Sequence, residues 1–205
     1  RLLIADEVGL GKTIQAGLLL RQAWLAGLAR RILIMAPKSV VRQWQIELRE
    51  KYNLNWPIYD GKQLSWAPSP ALGPNPLRKV DKHDWHEHAP CVITSSHLMR
   101  RKDRADDLIN DAQPWDLVIV DEAHHARRRA GGAGTDERPN QLLRLLRRLK
   151  DRTDGLVMMT ATPMQVSPVE VWDLLDLLGL PTSWNLDAFQ QYFDAVGKPN
   201  PSEHE

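Results

Sequence analysis

Gly9, Gly11, Lys12 and Thr13 stand in the run ADEVGLGKT, after a short apolar stretch and ahead of a segment with helical period. Strand, glycine loop, helix is the order that a phosphate-holding loop requires. Glycines let backbone amides close around phosphate oxygens where a side chain would clash. The helix that opens near Lys12 aims its free amides and positive dipole end at the same place. Lys12 adds a point charge for β and γ phosphates, and Thr13 offers a hydroxyl to Mg²⁺. A glycine turn capping a helix has the same local look; the flanking strand and helix favour the phosphate cradle. The general pattern has a first Gly five residues before Gly11, and here that position is Asp6.

The second group is Asp121-Glu122-Ala123-His124, at the end of the apolar run WDLVIV. A buried strand ending in two carboxylates suits the metal side of the same chemistry. Asp121 would hold Mg²⁺ through water, and Glu122 would orient or deprotonate an attacking water. An acidic pair capping a helix is the other reading. The glycine loop about a hundred residues earlier favours the first, because a doubly wound sheet gathers ligands outside the carboxyl ends of its strands.

Such convergence needs a parallel sheet. Apolar runs at 2–5, 31–36, 91–94, 117–120 and 156–160 read as strands. Helical period covers 13–29 and 40–51, and Leu142, Leu145, Leu146 and Leu149 fall on one face with Arg144, Arg147, Arg148 and Lys150 turned outward. Residues 169–178 and 186–196 read as two closing helices. The alternation predicts an α/β fold, a parallel sheet covered by helices on both faces. Residues 62–90 break the rhythm and read as an irregular insertion. Residues 130–140 (AGGAGTDERPN) read as a mobile loop.

The 205 residues suffice for one domain with a sizeable core. A net charge of +1 excludes a global basic field, so any nucleic-acid surface must be local. Cys91 is the only cysteine, which excludes an internal disulfide and fits a reducing cytoplasm. No apolar run is long enough to span a bilayer, so no membrane partner is expected. The chain starts at Arg1, a few residues before the glycine loop, and reads as a piece shortened at both ends.

ADEVGLGKTIQ, DEAH at 121–124 and TATP at 160–163 resemble motifs I, II and III of superfamily 2 helicases. The form DE-x-GLGKT-x-Q is similar to that of the Swi/Snf-type ATPases, in which an acidic residue replaces the first Gly, and this accounts for Asp6. RILIMAPKSVVRQWQIEL resembles motif Ia of that family. DEAHHAR and TATPMQ look most like its bacterial RapA-like branch. The resemblance implies a P-loop NTPase with a RecA-like sheet, the first of two lobes, over 1–205. It implies ATP and Mg²⁺ as cofactors, with Asp6, Glu7, Gly9, Leu10, Gly11, Lys12, Thr13, Ile14 and Gln15 at the nucleotide. It implies Thr13 and Asp121 at Mg²⁺, and Lys12, Asp121 and Glu122 in catalysis.

The partners it implies are double-stranded DNA and a second RecA-like lobe of the same protein, in a bacterial cytoplasm. The second lobe would bring an arginine finger, so the 205 residues alone are expected to be nearly inactive. His124, Thr160, Thr162 and Gln165 would couple the nucleotide to the nucleic-acid track, although Thr160 and Thr162 also suit plain turn chemistry before Pro163. Lys38, Ser39, Thr94, Ser95 and Ser96 follow strand ends where backbone phosphates would sit; Ser39 also suits a helix cap. Arg127, Arg128 and Arg129 form the densest charge cluster, either a solvated face or a contact to DNA or the second lobe. Trp44, Trp115 and Trp172 fit core positions, and Trp66 and Trp85 would pin the insertion. His83, His86 and His88 invite a metal reading, but their spacing lacks helical i, i+4 geometry and no cysteine is near.

Three functions fit these residues: a motor lobe on duplex DNA, a lobe of an RNA or single-strand unwinding helicase, and a non-catalytic nucleotide sensor. The resemblance implies transcription recycling, restriction or anti-phage defence as the pathway, and the sequence does not choose among these.

Overall fold

A computed structural model of the chain describes residues 1–7, 9–129, 138–164, 167–181 and 183–197. In chain order its elements are β1 (Leu2–Ile4), α1 (Lys12–Leu25), β2 (Ile32–Ala36), α2 (Val41–Tyr52), β3 (Ile58–Tyr59), β4 (Gln63–Ser65), β5 (Leu77–Lys79), β6 (Cys91–Ser95), α3 (Ser96–Met99), α4 (Lys102–Asp106), β7 (Trp115–Val120), β8 (Arg128–Arg129), β9 (Arg138–Pro139), α5 (Gln141–Leu149), β10 (Thr153–Met159), α6 (Pro168–Leu178) and α7 (Leu186–Val196). The sheet order is β1-β10-β7-β2-β6-β3-β4-β5; the first six strands of that series are mutually parallel, and β4 and β5 join antiparallel at the edge.

Each central strand is apolar on both faces because both are covered. All five residues of β2 are buried between β7 and β6, with Ile34 opposite Ile119 and Ile93. Alternate residues point to opposite sides of a strand. Leu33, Met35, Val92, Val118 and Val120 therefore meet the Leu142, Leu145, Leu146 and Leu149 stripe of α5 and Leu174 and Leu177 of α6. Ile32, Ile34, Ile93 and Ile119 meet Ala16 and Leu20 of α1 and Trp44 and Leu48 of α2. At about 1.5–3 kcal/mol for each large apolar side chain buried, these two layers are the main favourable contribution to folding. Among the described residues no helix is long and apolar enough to cross a membrane.

Close packing on the α1–α2 face depends on one small residue. Gly17 of α1 lies against the Tyr52 ring, and Tyr52 donates its hydroxyl hydrogen to the Ile14 carbonyl at 2.9 Å. A Cβ at position 17 would run into ring atoms that cannot swing away. Gly17→Ala is expected to lower stability by about 1–3 kcal/mol despite its gain in helix propensity. Chemical denaturation of the two proteins checks this, and an unchanged or raised midpoint would contradict the packing argument.

The segment 62–90 is more regular than its composition suggests. β4 and β5 form a hairpin that extends the sheet, and Trp85 opens a 3₁₀ turn with its ring fully buried, stacked 4.5 Å from Tyr59. Of the expected loop at 130–140, residues 130–137 lie outside the described residues. Arg138 and Pro139 pair with Arg129 and Arg128, and Asn140 caps α5 by accepting from the Leu143 amide at 2.9 Å.

Candidate functional site

β1 delivers the chain to a loop in which Gly9 (φ 87°) and Gly11 (φ 76°) adopt left-handed backbone angles. Gly11 precedes α1, whose first-turn amides at Lys12 and Thr13 have no intrahelical carbonyl to bond. Those two conformations, costly for any residue with a Cβ, turn the loop back over the helix start. Lys12 Nζ donates to the carbonyl oxygens of Asp6 (2.8 Å) and Glu7 (2.9 Å). An ammonium has three N–H groups, so one remains for an acceptor in the cleft. Gln15 Nε2 donates to the Asp6 carboxylate at 2.7 Å, which pins the loop to the first turn of α1.

The acidic turn arrives from the adjacent part of the sheet. Asp121 N donates to the Met35 carbonyl at 2.8 Å, holding the end of β7 against the end of β2. Both carboxylate oxygens of Asp121 are occupied: Oδ1 accepts from the Glu122 amide (2.9 Å) and Oδ2 from the indole N–H of Trp44 (2.9 Å). Glu122 itself sits at φ 52°, a left-handed conformation unusual for a non-glycine residue and of the kind stored at functional sites. Its carboxyl is raised above the ordinary glutamate value, first by burial and then by the neighbouring Asp121 charge.

Glycine loop and acidic turn face one cleft of about 410 Å³, lined by Gly9, Gly11, Lys12, Thr13, Asp121 and Glu122, with Ile14 and Ala161 beside them. A wall not foreseen from the sequence comes from α2, where Gln43, Trp44 and Glu47 also line the cleft. Asp6, Glu7, Leu10 and Gln15 shape the loop and are not part of the lining; Leu10 is exposed. Trp44 is packed as expected, at 1% exposure, but its N–H is also the ligand of Asp121. Only the apolar face of α2 was visible from periodicity.

His124 connects the acidic turn to the end of β10. Its Nδ1 lies 2.9 Å from Thr160 Oγ1 and 3.2 Å from Glu122 Oε2. Burial, and then the nearby Arg127 charge, push its pKa down, which favours the neutral ring. Thr160 is fully buried, and its amide donates to the Ile4 carbonyl while its hydroxyl accepts from the Thr162 amide at 3.1 Å. Gln165 lies outside the described residues.

The residues expected along a nucleic-acid track divide into two groups. Lys38 and Ser39 are exposed at the carboxyl end of β2. The α2 cap position falls on Val40, so Ser39 is not the cap. The others are engaged within the chain. Thr94 is fully buried and donates its hydroxyl hydrogen to the Tyr59 carbonyl (3.2 Å), Ser96 is buried, and Ser95 Oγ caps α3 by accepting from the Leu98 amide (3.1 Å). Arg127 pairs with Glu170 at 2.8 Å, and Arg128 binds the buried Asp173 through its backbone N–H and Nε, both at 3.0 Å. Glu170 and Asp173 of α6 thus balance their charges within the chain. The side chain of Arg129 lies outside what the structure describes.

A glycine loop and a carboxylate pair at the carboxyl ends of a RecA-like parallel sheet define the fold of the helicase and translocase superfamily. The model of the SNF2-related domain matches residues 1–200, and the chain belongs to that family. It is 36% identical over 198 residues to the RNA polymerase-associated protein RapA of Serratia proteamaculans, covering 97% of this chain and 18% of that protein. With RapA of Photobacterium profundum it shares 34% over 189 residues, covering 92% and 18%. The chain thus spans less than a fifth of the length of these relatives. Among solved structures, the SWI2/SNF2 ATPase core of Sulfolobus solfataricus in complex with dsDNA superimposes with a TM-score of 0.63 at 17% identity, covering 93% of this chain and 34% of that one. The Hef helicase domain of Pyrococcus furiosus gives 0.58 at 22% identity, covering 88% and 33%. The RecA-like, Swi/Snf-type lobe expected from the motifs is therefore the fold that the chain has.

Proposed function

We propose that this chain is the ATP-binding and hydrolysing lobe of a translocase that moves on double-stranded DNA. The observation that carries the reading is the meeting of the Lys12 loop and the Asp121–Glu122 turn in one cleft, with Asp121 oriented from two sides. The residues fit Mg·ATP. Amides of the α1 first turn and the third Lys12 N–H would meet phosphate oxygens, and the Thr13 hydroxyl and the Asp121 carboxylate would hold Mg²⁺. The ion would supply neutralisation of phosphate charge. Glu122 orients the attacking water and takes its proton. A second RecA-like lobe closes the cleft and supplies the arginine finger. Exposed Lys38 and Ser39 are the best-placed contacts for a DNA phosphate. His124, Thr160 and Thr162 join the base to the end of β10 and transmit the state of the nucleotide. The names of the RapA relatives favour a role beside RNA polymerase.

The test is ATP hydrolysis by the intact protein with duplex DNA, single-stranded DNA or RNA. Stimulation by duplex DNA is the expected result. Stimulation by single strands or RNA alone would favour an unwinding helicase, and nucleotide binding without hydrolysis would favour a sensor.

The Trp44–Asp121 bond carries its own prediction. A hydrogen bond to a charged group contributes about 1.5–3 kcal/mol. Trp44→Phe keeps most of the packing and removes the donor, so turnover is expected to fall by about tenfold or more. The Mg²⁺ concentration for half-maximal turnover should rise, because the freed carboxylate must be held by the ion itself. A titration that shows wild-type Mg²⁺ dependence in the variant would show that the bond does not orient Asp121.

A further inference from the structure

Away from the cleft, at the opposite end of the strands, two segments distant in sequence bring nitrogen and oxygen donors together. One is the turn that holds His83 and His86, anchored to the start of β2 where Arg31 Nη1 donates to the His86 carbonyl at 3.4 Å. The other is the single π-helical turn Asp107–Asp111 that continues α4. His83 Nδ1 lies 3.5 Å from Asp107 Oδ1 and 3.8 Å from Asp111 Oδ2, and the three atoms lie within 4.8 Å of one another. His88 takes no part; its Nε2 pairs with Asp84 at 3.2 Å.

Three observations distinguish this cluster from a surface ion pair. Among the described residues, Asp107 is 3% exposed and its Oδ1 accepts no hydrogen bond, although its Oδ2 is fixed by the Trp85 indole N–H at 2.7 Å. His86 is 2% exposed and, among the described residues, neither ring nitrogen has a hydrogen-bond partner; its Nε2 stands 3.9 Å from the same Asp107 Oδ1. Finally, separations of 3.5–3.9 Å are too long for direct N–H···O hydrogen bonds. The two His83 separations, 3.5 and 3.8 Å, are a few tenths of an ångström longer than the edge of a coordination tetrahedron, about 3.3–3.4 Å for ligands about 2.0–2.1 Å from zinc. Two carboxylates one turn apart on the same side of a helix repel each other unless a cation lies between them.

We propose that His83, Asp107 and Asp111 form a three-donor site for a divalent transition ion such as Zn²⁺, joining the insertion at 62–90 to the α4 segment. The mix of imidazole and carboxylate suits Zn²⁺ or Co²⁺ and disfavours Mg²⁺, which takes oxygen donors in an octahedron. Trp85 supplies the outer hydrogen bond that orients a ligating carboxylate. The site bridges one histidine and a carboxylate pair that lie more than twenty residues apart in the chain. That separation is why a search for closely spaced histidines does not find it.

The test uses the intact protein, freed of metal and titrated with Zn²⁺ and with Co²⁺ in excess Mg²⁺. Binding is read by calorimetry and by the visible ligand-field band of four-coordinate Co²⁺. The proposal expects the His83→Gln, Asp111→Asn double variant, whose altered side chains are exposed, to bind one fewer ion than wild type or to bind it at least about 100-fold more weakly, with the Co²⁺ band lost. Zn²⁺ should raise the wild-type melting temperature and leave that of the double variant unmoved. Equal stoichiometry, affinity and Co²⁺ spectrum in the two proteins would overturn the site. So would a wild-type protein that binds neither ion, which would leave the cluster as histidine–carboxylate pairing.

Discussion

Replacing Glu122 with Gln is expected to lower the ATP turnover of the intact protein by about 10²–10⁴-fold while leaving nucleotide binding nearly unchanged. Gln keeps the shape of the side chain and loses the ability to accept a proton. Glu122, at φ 52°, lines the cleft, and His124 Nδ1 lies 3.2 Å from its Oε2. The same environment predicts the pH profile. Burial and the Asp121 charge raise the Glu122 carboxyl above its ordinary value. A general base works only when ionised, so turnover is lost as pH falls through that raised value. The acid limb of kcat should therefore lie above the range of an exposed glutamate. Wild-type turnover in Glu122→Gln would remove Glu122 from the mechanism. An acid limb in the ordinary glutamate range would contradict the electrostatic argument alone.

Asp173→Ala is expected to destabilise the fold by about 3–5 kcal/mol. Asp173 is fully buried on α6 and accepts from the Arg128 backbone amide, from Arg128 Nε and from Arg147 Nη2 at 3.3 Å, joining β8, α5 and α6. Its carboxyl is nonetheless raised above the usual carboxylate range, because burial outweighs the attraction of Arg128 and Arg147. The cluster is thus no large gain over an apolar core, yet removing one member leaves two guanidinium groups without their buried counter-charge. Chemical denaturation of the chain checks the figure, and a loss under about 1 kcal/mol would show that the arginines find other partners or water. Asp173→Asn, which keeps volume and an acceptor, should fall between the two.

Most of the parallel sheet was legible from the sequence because its strands are buried on both faces and stand out as apolar runs; β2 and β6 differ from the expected spans by one residue at an end, and α7 matches. The short strands β3, β4 and β5 were not. Two or three residues leave no alternation to detect, and their pairing is set by the neighbouring strand rather than by propensity. At the site, the glycine loop and acidic turn were readable because each combines unusual residue types with a required flanking element. The Trp44 donor was not, since periodicity shows that a ring is buried but not what its N–H meets 77 positions away. Arg127 and Arg128 looked equally suited to solvent or DNA because their partners, Glu170 and Asp173, lie on a helix more than forty residues later. Thr94 followed a strand end as expected, but its hydroxyl turns inward to Tyr59.

The hairpin that the insertion adds to the sheet also determines how the sheet stops. A strand edge exposes unpaired amides and carbonyls on which another chain can polymerise. Here the outermost strand is β5, three exposed residues long, and two of the three are Arg78 and Lys79. Two molecules meeting at that edge would set cation against cation before any backbone bond formed. The least regular stretch of the sequence thus acts as a terminator, guarding a strongly apolar sheet against growth into aggregates.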